Sequence, residues 1–219
     1  MTAYLQSLYD LADSIQEPDL PFAIRKFISS IDNPTSISSN SNLESDLPEF
    51  HGRIHVHHSA LATILAPSDL SGTGGMRQER ICSVPSWYEN PRCDTAFIVL
   101  DDSLPGMEGM VIARVLLLFS FDYKHVHYSC AYVNWFVRSG DQPDPDTGMW
   151  TVSLERQRGK PTSQVIDVRT IARAAHLLPV YGSDPVPSNV RHYNSLDSFQ
   201  SFFINHFVDH HAFEFLMDF

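Results

Sequence analysis

The stretch from Val111 to Val137 constrains this chain more than any other. It reads VIARVLLLFSF, then DYKHVHY, then SCAYVNWFV. Two long runs of β-branched, aliphatic and aromatic residues flank a short polar link, which is the pattern of a β-hairpin. Side chains alternate across a strand. Strict alternation puts Val111, Ala113, Val115, Leu117, Phe119 and Phe121 on one face, with Ile112, Arg114, Leu116 and Leu118 on the other. In the second run Tyr128, Cys130, Tyr132, Asn134 and Phe136 share one side, and Ala131, Val133, Trp135 and Val137 the other. Both faces of the first strand are mostly apolar, so both need cover.

The rest of the chain supplies that cover. Tyr4, Leu5, Leu8, Leu11, Ala12 and Ile15 recur at helical spacing, and Pro18 closes that helix. Asp19 can cap a second helix, with Pro21 in its first turn and Phe22, Ile24, Phe27 and Ile28 as its apolar side. The Ser- and Asn-rich stretch from Ser29 to about Pro48 reads as a linker. This divides the chain into a helical segment (1–28), a linker (29–48) and a β-rich domain (49–219). Within the last, Arg53–His57, Ala62–Ala66, Thr95–Leu100, Met149–Leu154, Gln164–Val168 and His176–Tyr181 read as further strands. SDLSGTGGMRQERI, from Ser68, reads as a Gly-rich loop with a helical turn, and Thr170–Ala175 as a short helical turn. Ser195–Leu216 reads as one long helix, with Ser195 as its cap. Leu196, Phe199, Phe202, Phe203, Phe207 and Val208 form its broad apolar face. Phe199, Phe203 and Phe207 recur at i, i+4, i+8, and this stripe is expected to cover the central hairpin.

Composition narrows the function classes. Lys plus Arg number 15 against 26 Asp plus Glu, for a formal net charge of −11. No basic run is present, so nucleic acid is a poor partner for the isolated chain, and the acidic surface points to a basic protein partner such as a histone tail. Cys82, Cys93 and Cys130 form no C-x-x-C pair, which argues against a thiolate zinc site or a disulfide framework and fits a reducing, intracellular compartment. The N-terminal sequence has no secretory pattern. The apolar run around Val115–Phe119 is too short to span a bilayer.

Six stretches together carry a family resemblance: ILAPSDLSGTGGMRQERI, ENPRCDTAFIV, GMEGMVIARVLLLFSF, DPDTGMW, RAAHLLPVYG and FFINHFVDHHAFEF. They resemble a C-terminal domain of large basidiomycete proteins of the kind encoded by Plavaka-type and related Kyakuja–Dileera–Zisupton transposons. The resemblance covers residues 50–216. It implies a transposon-derived accessory domain, stand-alone or decayed, with nuclear association, and it carries over no catalytic residue. A looser resemblance is to bromo-adjacent homology (BAH) domains, which are chromatin-reader and protein-interaction modules. There, Val133, Trp135, Phe136 and Arg138 match a V-x-W-[FY]-x-R strand, and Ile166, Ile171 and Val180 match a later segment more loosely. The fold expectation is α+β: a small, mainly antiparallel, partly closed β-barrel (BAH/SH3-like), packed by a long C-terminal helix, with two short N-terminal helices.

Several residues are candidates for chemistry, each against a structural alternative. His206 and His210 stand at i, i+4, with Asp209 beside them, which is metal-ligand spacing. The zincin Glu is missing, and structural hydrogen bonding competes with ligation. The loop Gly72–Met76 with Arg77 and Arg80 offers an anion nest; a tight turn needing positive φ is the alternative. The acid groups Asp101/Asp102/Glu108 and Asp141/Asp144/Asp146 could seat a cation, but they lack EF-hand spacing, and solvated turn carboxylates are the better reading. Among the aromatics, Tyr123, Tyr128 and Trp150 lie near loops and strand ends, where rings could cage a methylated ammonium. No cofactor is implied. The favoured expectation is a non-catalytic interaction or accessory domain; the alternative is a metal-dependent nuclease or hydrolase using His and Asp ligands.

Overall fold

The computed structural model describes residues 5–33, 47–67, 74–183 and 185–217. The linker residues 34–46 and Ser68–Thr73 of the Gly-rich loop lie outside them. The elements are β1 (Leu5–Gln6), α1 (Leu8–Ser14), α2 (Leu20–Asp32), β2 (Ile54–His57), β3 (Ser59–Leu65), β4 (Met76–Trp87), β5 (Asn90–Cys93), β6 (Thr95–Val99) and α3 (Gly106–Gly109). They continue with β7 (Met110–Tyr123), β8 (Val126–Arg138), β9 (Thr151–Leu154), β10 (Arg156–Gln157), β11 (Lys160–Pro161) and β12 (Ser163–Asp167). After a 3-10 turn at Val168–Thr170 come β13 (Ile171–Ala175), β14 (Leu177–Pro179), α4 (Ser195–Ser198), β15 (Ser201–Ile204) and α5 (His210–Met217).

The central hairpin forms as its pattern requires, with β7 and β8 antiparallel from Ala113↔Trp135 to Tyr123↔Val126. Only Lys124 and His125 join them, at φ 50° and 65°. A two-residue turn with both residues left-handed matches the twist of the flanking strands. β6 pairs with the first half of β7 and β2 with its second half, while β12 and β9 share the far edge of β8. β13 then pairs with β6. The order β13-β6-β7-β8-β12, with its end strands joined by the 3-10 turn, is a nearly closed antiparallel barrel in a mixed α+β chain, with the strand order of an SH3-like barrel. Its interior is narrow: Ala96, Ala113 and Ala131 are fully buried among Ile81, Ile98, Val115, Leu118, Val133 and Ile166.

Strict alternation fails in β7. Val115 pairs with Val133 but Leu117 pairs with Tyr132, so Leu116 is one residue in excess. This bulge swaps the faces. Ala113 and Val115 point into the barrel together with Leu118, whereas Leu117, Phe119 and Phe121 join a second cluster outside it. That outer cluster is covered by α1 and α2, through Leu8, Leu11, Leu20, Ile24 and Ile28. The two N-terminal helices therefore share a core with the barrel.

The long C-terminal helix is a correction. Residues 195–216 divide into α4, the strand β15 and α5, so Phe199, Phe203 and Phe207 share no helical stripe. β15 pairs with β9 and β14, and it buries Phe202 and Ile204 rather than Phe203. Phe207 is 62% exposed. SFFI is as much a strand sequence as a helical one, and two waiting strand edges decide between them. α5 buries Leu216 in a third cluster with Phe97, Met107, Met110, Phe136, Val152 and Phe202. It covers the end of the sheet opposite to α1 and α2. The helical turn expected over Thr170–Ala175 is a correction: the 3-10 turn lies earlier, at Val168–Thr170, and Ile171–Ala175 is strand. Of the Gly-rich stretch, Gly74 and Gly75 form a turn with φ 65° and 77°, and Met76 onward is the long strand β4 rather than a helical turn.

Candidate functional site

The arginines form the notable constellation. β4 supplies Arg77 and Arg80, β5 supplies Arg92, and β7 supplies Arg114. All four line a cleft of about 680 Å³, together with His192, Tyr193 and Leu196 from the segment around α4. Two carboxylates also line it, Glu79 and Asp94.

Each carboxylate of the sheet wall is held by the wall itself. Asp94 accepts from Arg92 Nε at 2.8 Å and Nη2 at 3.1 Å, and from the backbone N–H of Cys82 at 2.8 Å. The Arg92 guanidinium lies over the Trp87 ring, 5.2 Å from its centre, a cation–π contact. Glu79 accepts from Arg173 Nη2 at 2.6 Å and from the Ala174 N–H at 3.1 Å. Arg173 is fully buried. A buried charge persists only when paired. Arg173 meets this need with Glu79, with both oxygens of Asp209, at 2.7 and 3.3 Å, and with His211 Nδ1 at 2.8 Å. A guanidinium only donates, so Nδ1 of His211 accepts and the imidazole is neutral. Burial first, then the Arg173 charge, hold the His211 pKa below the ordinary histidine value. For Asp209, burial opposes ionisation, but hydrogen bonds from Arg173 and the Ala212 N–H outweigh it and the pKa is lowered.

Arg114 differs from the other three. Its side chain is 14% exposed, and its Nη1 donates at 2.7 Å to Asp197 of α4. Its Nε is buried with no acceptor among the described residues. Cys93 lines the cleft nearby; burial raises the thiol pKa and keeps it protonated, with Arg114 pulling the other way. Arg77 pairs with Glu79 and Asp209 at 3.7 and 3.4 Å, Arg92 with Asp94 and Arg114 with Asp197, while Arg80 donates to the Ser59 hydroxyl at 2.8 Å, all inside a chain of net charge −11. Guanidinium donors converging on a cleft recognise carboxylate or phosphate oxygens.

The residues singled out from sequence are dispersed. Tyr123 donates to Asp32 at 2.9 Å and carries the Lys124 ammonium over its ring. Tyr128 packs on Phe27 and Phe121 in the cluster under α2. Trp150 lies at the other end of the sheet, beneath the Arg138 guanidinium at 5.0 Å. His206 is buried against Phe207 and Phe213, Asp209 is engaged by Arg173, and His210 is exposed and pairs with Glu214 at 3.2 Å. Among the described residues, no three His, Cys, Asp or Glu side chains gather as a metal would require. Asp101 and Asp144 accept hydrogen bonds within their own loops, from Ser103 and Thr147. Arg77 and Arg80, weighed with the Gly-rich loop as an anion nest, do reach the cleft wall. Arg92 had no sequence signal, and Trp87 had only its place among the aromatics weighed for a cage. Arg114 had one: a lone arginine inside the apolar run VIARVLLLF.

Among the described residues no helix is long and apolar enough to cross a membrane. Comparison with family models, with curated proteins and with solved structures finds no match to the chain.

Proposed function

We propose that the chain is a non-catalytic interaction domain that receives a negatively charged segment of a protein partner in the arginine-lined cleft. The convergence of Arg77, Arg80, Arg92 and Arg114 on one cleft of an otherwise acidic chain supports this reading. The sign is opposite to the one net charge suggests. Recognition is local, because exposed charges beyond about 8 Å are screened at physiological salt. A short acidic segment therefore meets the arginines, while a long polyanion such as duplex DNA also meets the acidic remainder. The resemblance to a transposon-encoded accessory domain, with its nuclear association, and the looser one to BAH modules fit the same non-catalytic role.

Fluorescence anisotropy with labelled peptides tests it. A Glu-rich peptide should bind, weaken as salt is raised, and lose about tenfold or more in affinity in Arg92→Glu, since 1.4 kcal/mol is a factor of ten. Tighter binding of a Lys/Arg-rich histone-tail peptide, unaffected by that substitution, would return the reading to net charge and a basic partner.

A further inference from the structure

We infer that Asp197 is a built-in competitor for the cleft, occupying Arg114 in place of a carboxylate of the partner, so that binding displaces it. This rests on the cleft being the recognition site. Three observations carry it. Glu79 and Asp94 are locked into the sheet wall by Arg173 and Arg92, whereas Asp197 reaches the cleft-lining Arg114 from α4, whose neighbouring Ser195 and Leu196 line the cleft. Its side chain is 55% exposed and stands on a helix of only four residues, so rotation of one side chain releases it to water. The contact is a single one, Nη1 to Oδ1 at 2.7 Å, from an arginine side chain that is 14% exposed and whose buried Nε has no acceptor among the described residues. Arginine favours two-point capture of a carboxylate, so a ligand that engages it more fully outcompetes a one-point internal partner. Leu196 and Phe199, on either side of Asp197, pack on the core cluster below and keep the segment in place while the carboxylate leaves. The internal occupant also names the ligand class: side chains bearing carboxylates, of the length and charge of Asp or Glu.

The test uses the full chain and its Asp197→Asn variant. An oligoglutamate peptide should bind the variant about tenfold more tightly, the gain expected if Asp197 leaves Arg114 accessible about a tenth of the time. Glutarate and inorganic phosphate serve as small probes, read by the Arg114 Nε–H signal in nitrogen-edited NMR. Glutarate should move that signal in Asp197→Asn at concentrations that leave the wild type unchanged. Equal peptide affinity for the two proteins overturns the competitor and leaves the cleft reading standing. Glutarate responding only in the variant, with no peptide bound to either, supports the competitor and overturns the peptide reading. A response to phosphate but not to glutarate overturns the carboxylate assignment. No response to any probe overturns both proposals. Asp197→Ser, with a melting temperature matching the wild type, separates release of Arg114 from loss of fold.

Discussion

Ser83 shows how one residue holds a departure from regular structure. The bulge at Leu116 leaves a carbonyl outside the β-ladder, and the Ser83 hydroxyl donates to it at 2.6 Å. Ser83 is 4% exposed, so water does not replace the bond. Ser83→Ala should therefore destabilise by about 1–3 kcal/mol, the cost of an unsatisfied buried acceptor. Ser103→Ala, at an exposed turn, should stay within about 0.5 kcal/mol. Urea denaturation of both variants checks the contrast, and equal midpoints would mean that the bulge needs no such support. Gly109 is a second such residue: a Cβ there would run into the carbonyl oxygens of Asp101 and Leu104, so only glycine fits the turn leading into β7.

The C-terminal elements divide the aromatic run by face. Phe202 and Phe207 look equivalent in the sequence, but one is 1% exposed in β15 and the other 62% exposed beyond it. Phe202→Ala should cost about 3–5 kcal/mol, close to the whole stability of many domains. Phe207→Ala should cost under about 0.5 kcal/mol. If Phe207→Ala lowered the melting temperature as far as Phe202→Ala, the helical stripe over 195–216 would be restored. α5 itself is tied down at its start, where Asp209 accepts from Ala212 N–H at 2.7 Å and pairs with Arg173.

At the scale of the molecule, stability depends on pH through histidines that must stay neutral. His206 is depressed by burial, and His211 by burial and then by Arg173, with Asp209, Glu79 and Glu214 pulling its pKa up only in part. A folded pKa below the unfolded value of about 6.5 means the unfolded chain takes up protons first as pH falls. The histidine contribution is thus complete above about pH 6.5 and lost as pH falls through the folded values. Asp209 adds a lower window: its depressed pKa contributes stability above about 3.9 that is lost on further acidification. The melting temperature should be level from about pH 8 to 7 and fall steadily toward pH 5, less steeply in His211→Gln. A rise in melting temperature on acidification would show that these imidazoles are charged in the folded state.

Local order was legible in the chain. The hairpin around Lys124–His125 follows from two adjacent runs of strand formers, and α1 from Leu8 onward and α2 follow from apolar spacing, because every contact these patterns need lies within a few residues; Leu5, read into the first helix, is instead strand, paired with His55 of β2. Tertiary structure decided the rest. Whether SFFI becomes helix or strand depends on β9 and β14, more than twenty residues upstream in the chain. Which face of β7 turns inward depends on one inserted residue whose carbonyl is satisfied from β4. The cleft joins residues from Arg77 to Leu196, and the only local marks of it are Arg77 and Arg80 beside the Gly-rich loop and Arg114, a charge in an apolar run. A strand written for burial on both faces does not say what lies across from its one arginine; only the folded chain brings Asp197 there, 83 residues later.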